Sequence, residues 1–245
     1  MNILVCITHV PDTTAKIAFV EGNTQFDKSG VQFIIGPYDD YALARAVELK
    51  EQHGGTITAL NVGTPDSDPT IRKALAIGAD AAVRINIEPT DSMQVAKLIA
   101  NYAKDKSFDL ILMGRESIDS NGGVVHGMVA ELLNLPSISP VMRLDIEGTT
   151  ATMDKEIEGG KQVVKADLPF VAGCQEPIAE WKIPNMRGIM MARSKPLEVI
   201  EPEGATTSST IKQFDLPPSK GDCKLISSDN VEELVSLLKN EAKVL

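Results

Sequence analysis

The chain has 245 residues, 43% of them hydrophobic and 24% charged, which suits a soluble globular protein with enough chain for one substantial core. A formal net charge of −10 repels phosphate backbones, so a nucleic-acid partner is disfavoured, although a small nucleotide held by backbone amides is not. Cys6, Cys174 and Cys223 are too scattered for a disulfide framework or a zinc site; with no leader-like or bilayer-length apolar run visible, a cytoplasmic protein without direct membrane insertion is expected.

In chain order, residues 2–8 (NILVCIT) form a short apolar run rich in β-branched side chains and predict a buried strand. Residues 17–20 and 31–35 flank a polar, Gly-containing stretch and predict a small hairpin inserted after that strand. Residues 37–53 predict a helix, with Pro37 in the first turn, Asp39 and Asp40 at its positive end, and Gly54-Gly55 as its stop. Alternation then continues: strand 56–62, helix 67–77, strand 81–85, helix 91–104, strand 109–113 and helix 121–133. Repeated β-α units at this spacing predict a parallel sheet covered on both faces. After Pro136 the pattern changes to antiparallel strands at 141–146, 151–157 and 162–166, with 168–173 as a final core strand. Residues 202–222 are rich in Ser, Thr, Pro and Gly and read as an extended linker, and 229–243 as an amphipathic helix with no obvious intrachain place for its apolar face. The organisation expected is a nucleotide-binding α/β domain with an antiparallel extension over 1–201, and a linker and helical arm over 202–245.

No G-x-G-x-x-G fingerprint, Walker A loop or G-x-S-x-G elbow is present, and His9, His53 and His126 share no metal-ligand spacing. In open parallel sheets ligands bind beyond the carboxyl ends of the strands, near a topological switch point. Residues 8–12, 62–64 and 114–125 reach that edge. The binding candidates are therefore Thr8, His9, Val10, Val62, Gly63, Gly114, Asp119, Gly122, Gly123, Val124 and Val125. Gly122 and Gly123 sit where a helix would open, and free N–H groups there attract phosphate; an ordinary capped βα loop is the competing reading. Asp119 would orient that loop by accepting backbone hydrogen bonds. Asp39 is either part of a simple helix cap or a group near a ribose hydroxyl.

Taken in order, several of these pieces resemble the electron-transfer flavoprotein β-subunit family. They are Val10-Pro11-Asp12, GPYDDYAL from Gly36, GRESIDSNGGVVHGM from Gly114, EIEGG from Glu156, Leu168-Pro169, and Glu176-Pro177 followed by IPNM from Ile183. The resemblance spans residues 1 to about 202 and implies a Rossmann-like fold of the adenine-nucleotide α-hydrolase type. It also implies a heterodimer whose α subunit carries the redox FAD, while the β subunit holds AMP structurally and has no independent catalytic site. Electrons would come from acyl-CoA or other flavin dehydrogenases docking at a loop matched here by Ile183, Pro184 and Asn185. Glu156 matches a glutamate facing the partner's flavin domain, and the C-terminal arm would wrap on the α subunit. Two departures stand out: Gly36 replaces the family's usual Asn, and Gly123-Val124-Val125 replaces Asn-Gln-Thr, leaving only backbone amides for a phosphate. Part of the family binds a second, bifurcating FAD in this cleft. Two rivals share the fold class. An adenylating enzyme needs a Ser/Gly-rich phosphate loop after the first strand, where Thr8–Asp12 stands instead; a nucleotide-sensing homodimer needs neither the extension nor the arm.

Overall fold

The computed structural model of the protein describes residues 1–204 and 206–245. Strand β1 (Asn2–Cys6) is buried along nearly its whole length. Its successive side chains point to opposite faces of the sheet: Ile3 and Val5 enter one core cluster, Leu4 and Cys6 the other. Two small ladders follow, from β2 (His9–Pro11), β3 (Phe19–Val20), β4 (Gln25–Phe26) and β5 (Phe33–Ile35), in which β2 pairs with β5 and β3 with β4, both antiparallel. The single hairpin expected between 17–20 and 31–35 is thus two nested ones. Positive φ at Glu21, Gly22 and Asn23 turns the chain back so tightly that Val20 meets Gln25, and residues 33–35 pair instead with the continuation of β1.

The repeated units then fall close to expectation. They are α1 (Pro37–His53), β6 (Thr56–Gly63), a 3-10 turn at Pro65–Ser67 running into α2 (Asp68–Ile77), β7 (Ala81–Asn86), α3 (Ser92–Ala103) and β8 (Leu110–Gly114). Helix α4 (Val125–Leu133) starts four residues later than the pattern suggested, because Asn121 takes a left-handed φ of 49° and Gly123 N–H donates to the Asn121 carbonyl, a turn rather than a helix. Strands β9 (Ser137–Glu147), β10 (Thr150–Ile157) and β11 (Gly160–Asp167) form an antiparallel meander, after which β12 (Phe170–Cys174) returns to the core. Strand β12 is not the last one. Residues to which the sequence pattern assigned no element contain α5 (Met186–Ala192), capped by Asn185, and β13 (Leu197–Ile200), which pairs with β7 at the far edge. Helix α6 (Val231–Asn240) ends the chain's regular structure.

Among the described residues the main sheet runs β11-β10-β9-β12-β8-β1-β6-β7-β13, parallel from β9 to β13, with β10 and β11 antiparallel at one edge. Helices α1 and α2 pack on one face and α3 and α4 on the other. The fold is α/β and Rossmann-like. From β1 the chain steps outward through β6 and β7, then crosses back to β8, so the strand order reverses between β1 and β8. That crevice is where such sheets bind ligands.

The segment after β13 is not a free linker. Ser208 and Ser209 backbone N–H groups donate to Asp91 Oδ2 at 2.6 and 3.2 Å, Phe214 N–H donates to the Asn23 carbonyl at 2.8 Å, and the Phe214 ring stacks on Phe19. A strap over residues 207–214 therefore lies against this chain's own α/β body, while α6 beyond it buries no residue.

Candidate functional site

A cleft of about 1320 Å³ opens at the carboxyl ends of β1, β6, β7 and β8, above the roughly 300–1,000 Å³ of ordinary small-molecule sites. Asp39 holds its centre together. Its Oδ2 accepts from Thr8 N–H at 2.8 Å and Thr8 Oγ1–H at 2.6 Å, and its Oδ1 accepts from Gly114 N–H at 2.8 Å. One carboxylate on the first turn of α1 thus ties the end of β1 to the end of β8 across the switch point. The approach is close enough to exclude side chains: a Cβ on Gly36 would lie 2.4 Å from Thr8 Oγ1, and one on Gly114 would lie 2.5 Å from Asp39 Oδ1. Burial raises the Asp39 pKa to about 6, against the lowering effect of the Thr8 and Gly114 hydrogen bonds. Three of the roughly four acceptor positions of an ionised carboxylate are used, so Asp39 is mainly a stitch.

His9 is not an exposed loop residue. Its ring stacks on Phe33 with centroids 4.4 Å apart, and Nδ1 is hydrogen-bonded to Thr70 Oγ1 at 2.8 Å. Burial, then Lys28, lowers its pKa and favours the neutral imidazole. Asp119 accepts from the hydroxyls of Ser117 and Ser120, not from backbone N–H groups as expected. The amides of Gly122 and Gly123 are taken by the carbonyls of Ser117 and Asn121. Free donors lie instead on the first turn of α4, which starts at Val125 and has no side-chain cap. His126, on that turn, has its pKa lowered by burial, opposed by hydrogen bonds with the Arg115 and Gly123 backbone.

Of the residues singled out from the sequence, Thr8, His9, Asp39, Val62, Gly63, Gly114, Asp119, Gly122 and Val125 line the cleft. Val10, Gly123 and Val124 do not: Val10 is fully buried within β2, and Val124 is half exposed at the α4 cap. Glu156 and Ile183–Asn185 also lie off the cleft. Glu156 accepts from Gln175 Nε2–H, and Gln175 Oε1 in turn accepts from Arg115 at 2.9 Å. Ile183 is 75% exposed.

Sequence reasoning missed three parts of the wall. The loop after β7, with Glu88, Thr90 and Asp91, obeys the same strand-end rule and was legible by it. Phe19, Phe26 and Phe33 reach the wall through the nested ladders, and Ser209, Ile211 and Phe214 through the strap, neither of which local patterning revealed. The wall is acidic. Asp12, Asp66, Glu88, Asp91, Glu116 and Asp119 line it, while among the described residues Lys28 is its one lysine or arginine and pairs with Glu88 at 3.2 Å. Among the described residues no group of three or more His, Cys, Asp or Glu is placed to hold a metal, and no helix is long and apolar enough to cross a membrane.

Residues 23–205 match the family described as "Electron transfer flavoprotein domain". The chain is 40% identical to the electron transfer flavoprotein subunit beta of Bacillus subtilis (strain 168), with 100% of each chain covered. It is 33% identical to the protein of the same name from Syntrophomonas wolfei subsp. wolfei, over 100% of this chain and 98% of that one. Similarity extends, at 29% identity over 99% of this chain and 98% of the other, to the caffeyl-CoA reductase-Etf complex subunit CarD of Acetobacterium woodii. With a matching family domain over most of its length and full-length relatives of one name, the chain belongs to the electron transfer flavoprotein family, among its β subunits.

Proposed function

We propose that this chain works as one half of a heterodimeric electron carrier, holding AMP as a structural ligand in the β1–β8 cleft and having no catalytic site of its own. The redox FAD would be carried by the α partner; when bound there, it supplies the one- and two-electron chemistry. Donor flavin dehydrogenases would dock around Ile183, Pro184 and Asn185, with Glu156 toward the α partner's flavin domain, and the complex would operate in the cytoplasm.

The observation that supports an adenine mononucleotide is the division of chemistry within the cleft. Carboxylates such as Asp66 and Asp119 suit ribose hydroxyls, which donate hydrogen bonds. The uncapped first turn of α4 suits a phosphate through backbone N–H groups and the helix dipole, which side-chain changes at Gly123–Val125 leave intact. Apolar Leu60, Ile99 and Met113 suit a base. A single phosphate fits this wall better than a pyrophosphate, because Lys28 is already paired. The volume of about 1320 Å³ favours a second reading, a dinucleotide such as a second FAD. One experiment separates the two: co-express the chain with its α partner and quantify the nucleotides released on denaturation by mass spectrometry. One AMP and one FAD per heterodimer is the expected result. Two FAD would replace AMP by the second reading, and one FAD without AMP would remove both from this subunit.

A further inference from the structure

The segment that presents Ile183 is held from beneath by a charged latch on α1 and α2. Trp181 Nε1–H donates to Asp40 Oδ2 at 2.9 Å. Lys73 Nζ, from α2, reaches the same oxygen at 3.3 Å and lies 5.6 Å from the centre of the Trp181 ring. Asp40 is buried to 6% exposure, and its other oxygen, Oδ1, is buried without a partner, an arrangement an apolar residue would avoid. Trp181 is itself 55% exposed, so its burial does not explain the latch: the indole is gripped at its N–H edge while much of the residue stays open. Further along, Arg72 donates to the carbonyls of Ala192 and Lys195, fixing the end of α5 to α2. Between these two attachments Ile183 and Met186 project, each 75% exposed.

We propose that the Asp40–Trp181–Lys73 latch is a positioning device that pre-sets the docking segment, so that Ile183 meets a partner enzyme without first being ordered. This rests on the docking reading given above. A segment ordered before binding loses less conformational entropy on association, so the latch acts on affinity and not on electron transfer within the formed complex. Asp40 also adjoins Asp39, so one turn of α1 braces the cleft with one carboxylate and the docking segment with the next.

The test uses the complete heterodimer with a flavin dehydrogenase as electron donor. Trp181→Phe keeps the ring and removes the donor; Asp40→Asn keeps the shape and removes the charge. Each should raise the KM for the carrier by about threefold to tenfold, as for loss of a hydrogen bond of ordinary net strength, with kcat and nucleotide content unchanged. Because the latch acts through Ile183, Trp181→Phe should add little in an Ile183→Ala background. Trypsin cleavage after Lys182 should accelerate in both latch variants, a reading that does not depend on docking. Unchanged cleavage, or KM effects that add fully in the double variant, would overturn the latch. If Ile183→Ala alone leaves KM unchanged while cleavage still accelerates in the latch variants, the docking reading falls, and with it the positioning role.

Discussion

Asp39 shows what a single residue contributes when its partners are distant in sequence. It joins Thr8, 31 positions away, to Gly114, 75 positions away, and those bonds exist only once β1 and β8 are neighbours. Its pKa of about 6 against an ordinary 3.8 means that the folded chain still holds the proton at pH values where the unfolded chain has released it. This contribution to stability is therefore fully present below about 3.8 and is lost as the pH rises through about 6. Between pH 7.5 and 5 wild type should gain on the order of 1 kcal/mol relative to Asp39→Asn, read as the difference between their urea unfolding free energies at the two values. A parallel pair of curves would show that Asp39 titrates as an ordinary carboxyl. Independently of pH, the Asn amide must turn N–H toward one of three donors, so the variant should be less stable by about 1–3 kcal/mol at pH 7.5. The sequence pointed to Asp39 as a cap or ribose contact because those readings need only local context. The stitch was illegible for the opposite reason, since no local pattern encodes a contact that spans two βα units.

Among the elements, legibility followed burial and period. Strands β1, β6, β7 and β8 are near-continuous apolar runs between helices of 3.6-residue period, and each was placed to within about two residues. Short or edge elements escaped: α5 has seven residues, mostly exposed, and β13 only four, two of them exposed, so neither carries a strong pattern. The strap escaped because it has no period at all and is held by its backbone donors on Asp91 and Asn23 and one aromatic stack. Stacked rings contribute about 0.5–1.5 kcal/mol beyond the area they bury. Phe214→Ala should therefore raise amide hydrogen exchange over residues 207–214 while leaving β1 and β8 protected, as mass spectrometry of the intact heterodimer would report. Because Ser209, Ile211 and Phe214 line the cleft, release of the nucleotide proposed to bind there should quicken in the same variant. Unchanged exchange in the strap would mean that its hydrogen bonds to Asp91 and Asn23 hold it without the aromatic stack.

For the whole molecule the deciding feature is what α6 does not find among the described residues of its own chain. The helix has ten residues, an Asn230 cap and acidic Glu232 and Glu233 in its first turn, yet no residue of it is buried, and Leu234 and Val235 stay 42% and 48% exposed. A helix that short is marginal in water unless tertiary packing supports it. Among the described residues this apolar face is covered only in part, at Leu237 and Leu238, and it therefore calls for a second chain; membership among β subunits makes an α subunit the natural one. Two truncations separate the arm from the strap. A chain ending at Leu216 loses α6 and keeps residues 207–214 on the cleft. It should melt near the wild-type temperature and retain the proposed nucleotide, but lose co-purification of the co-expressed α subunit. A chain ending at Glu201 loses both, uncovers Phe19 and Asp91, and should in addition release nucleotide faster. If the Leu216 truncation still captures the α subunit at wild-type affinity, the heterodimer is anchored on the α/β body itself, and α6 must be assigned to some other surface.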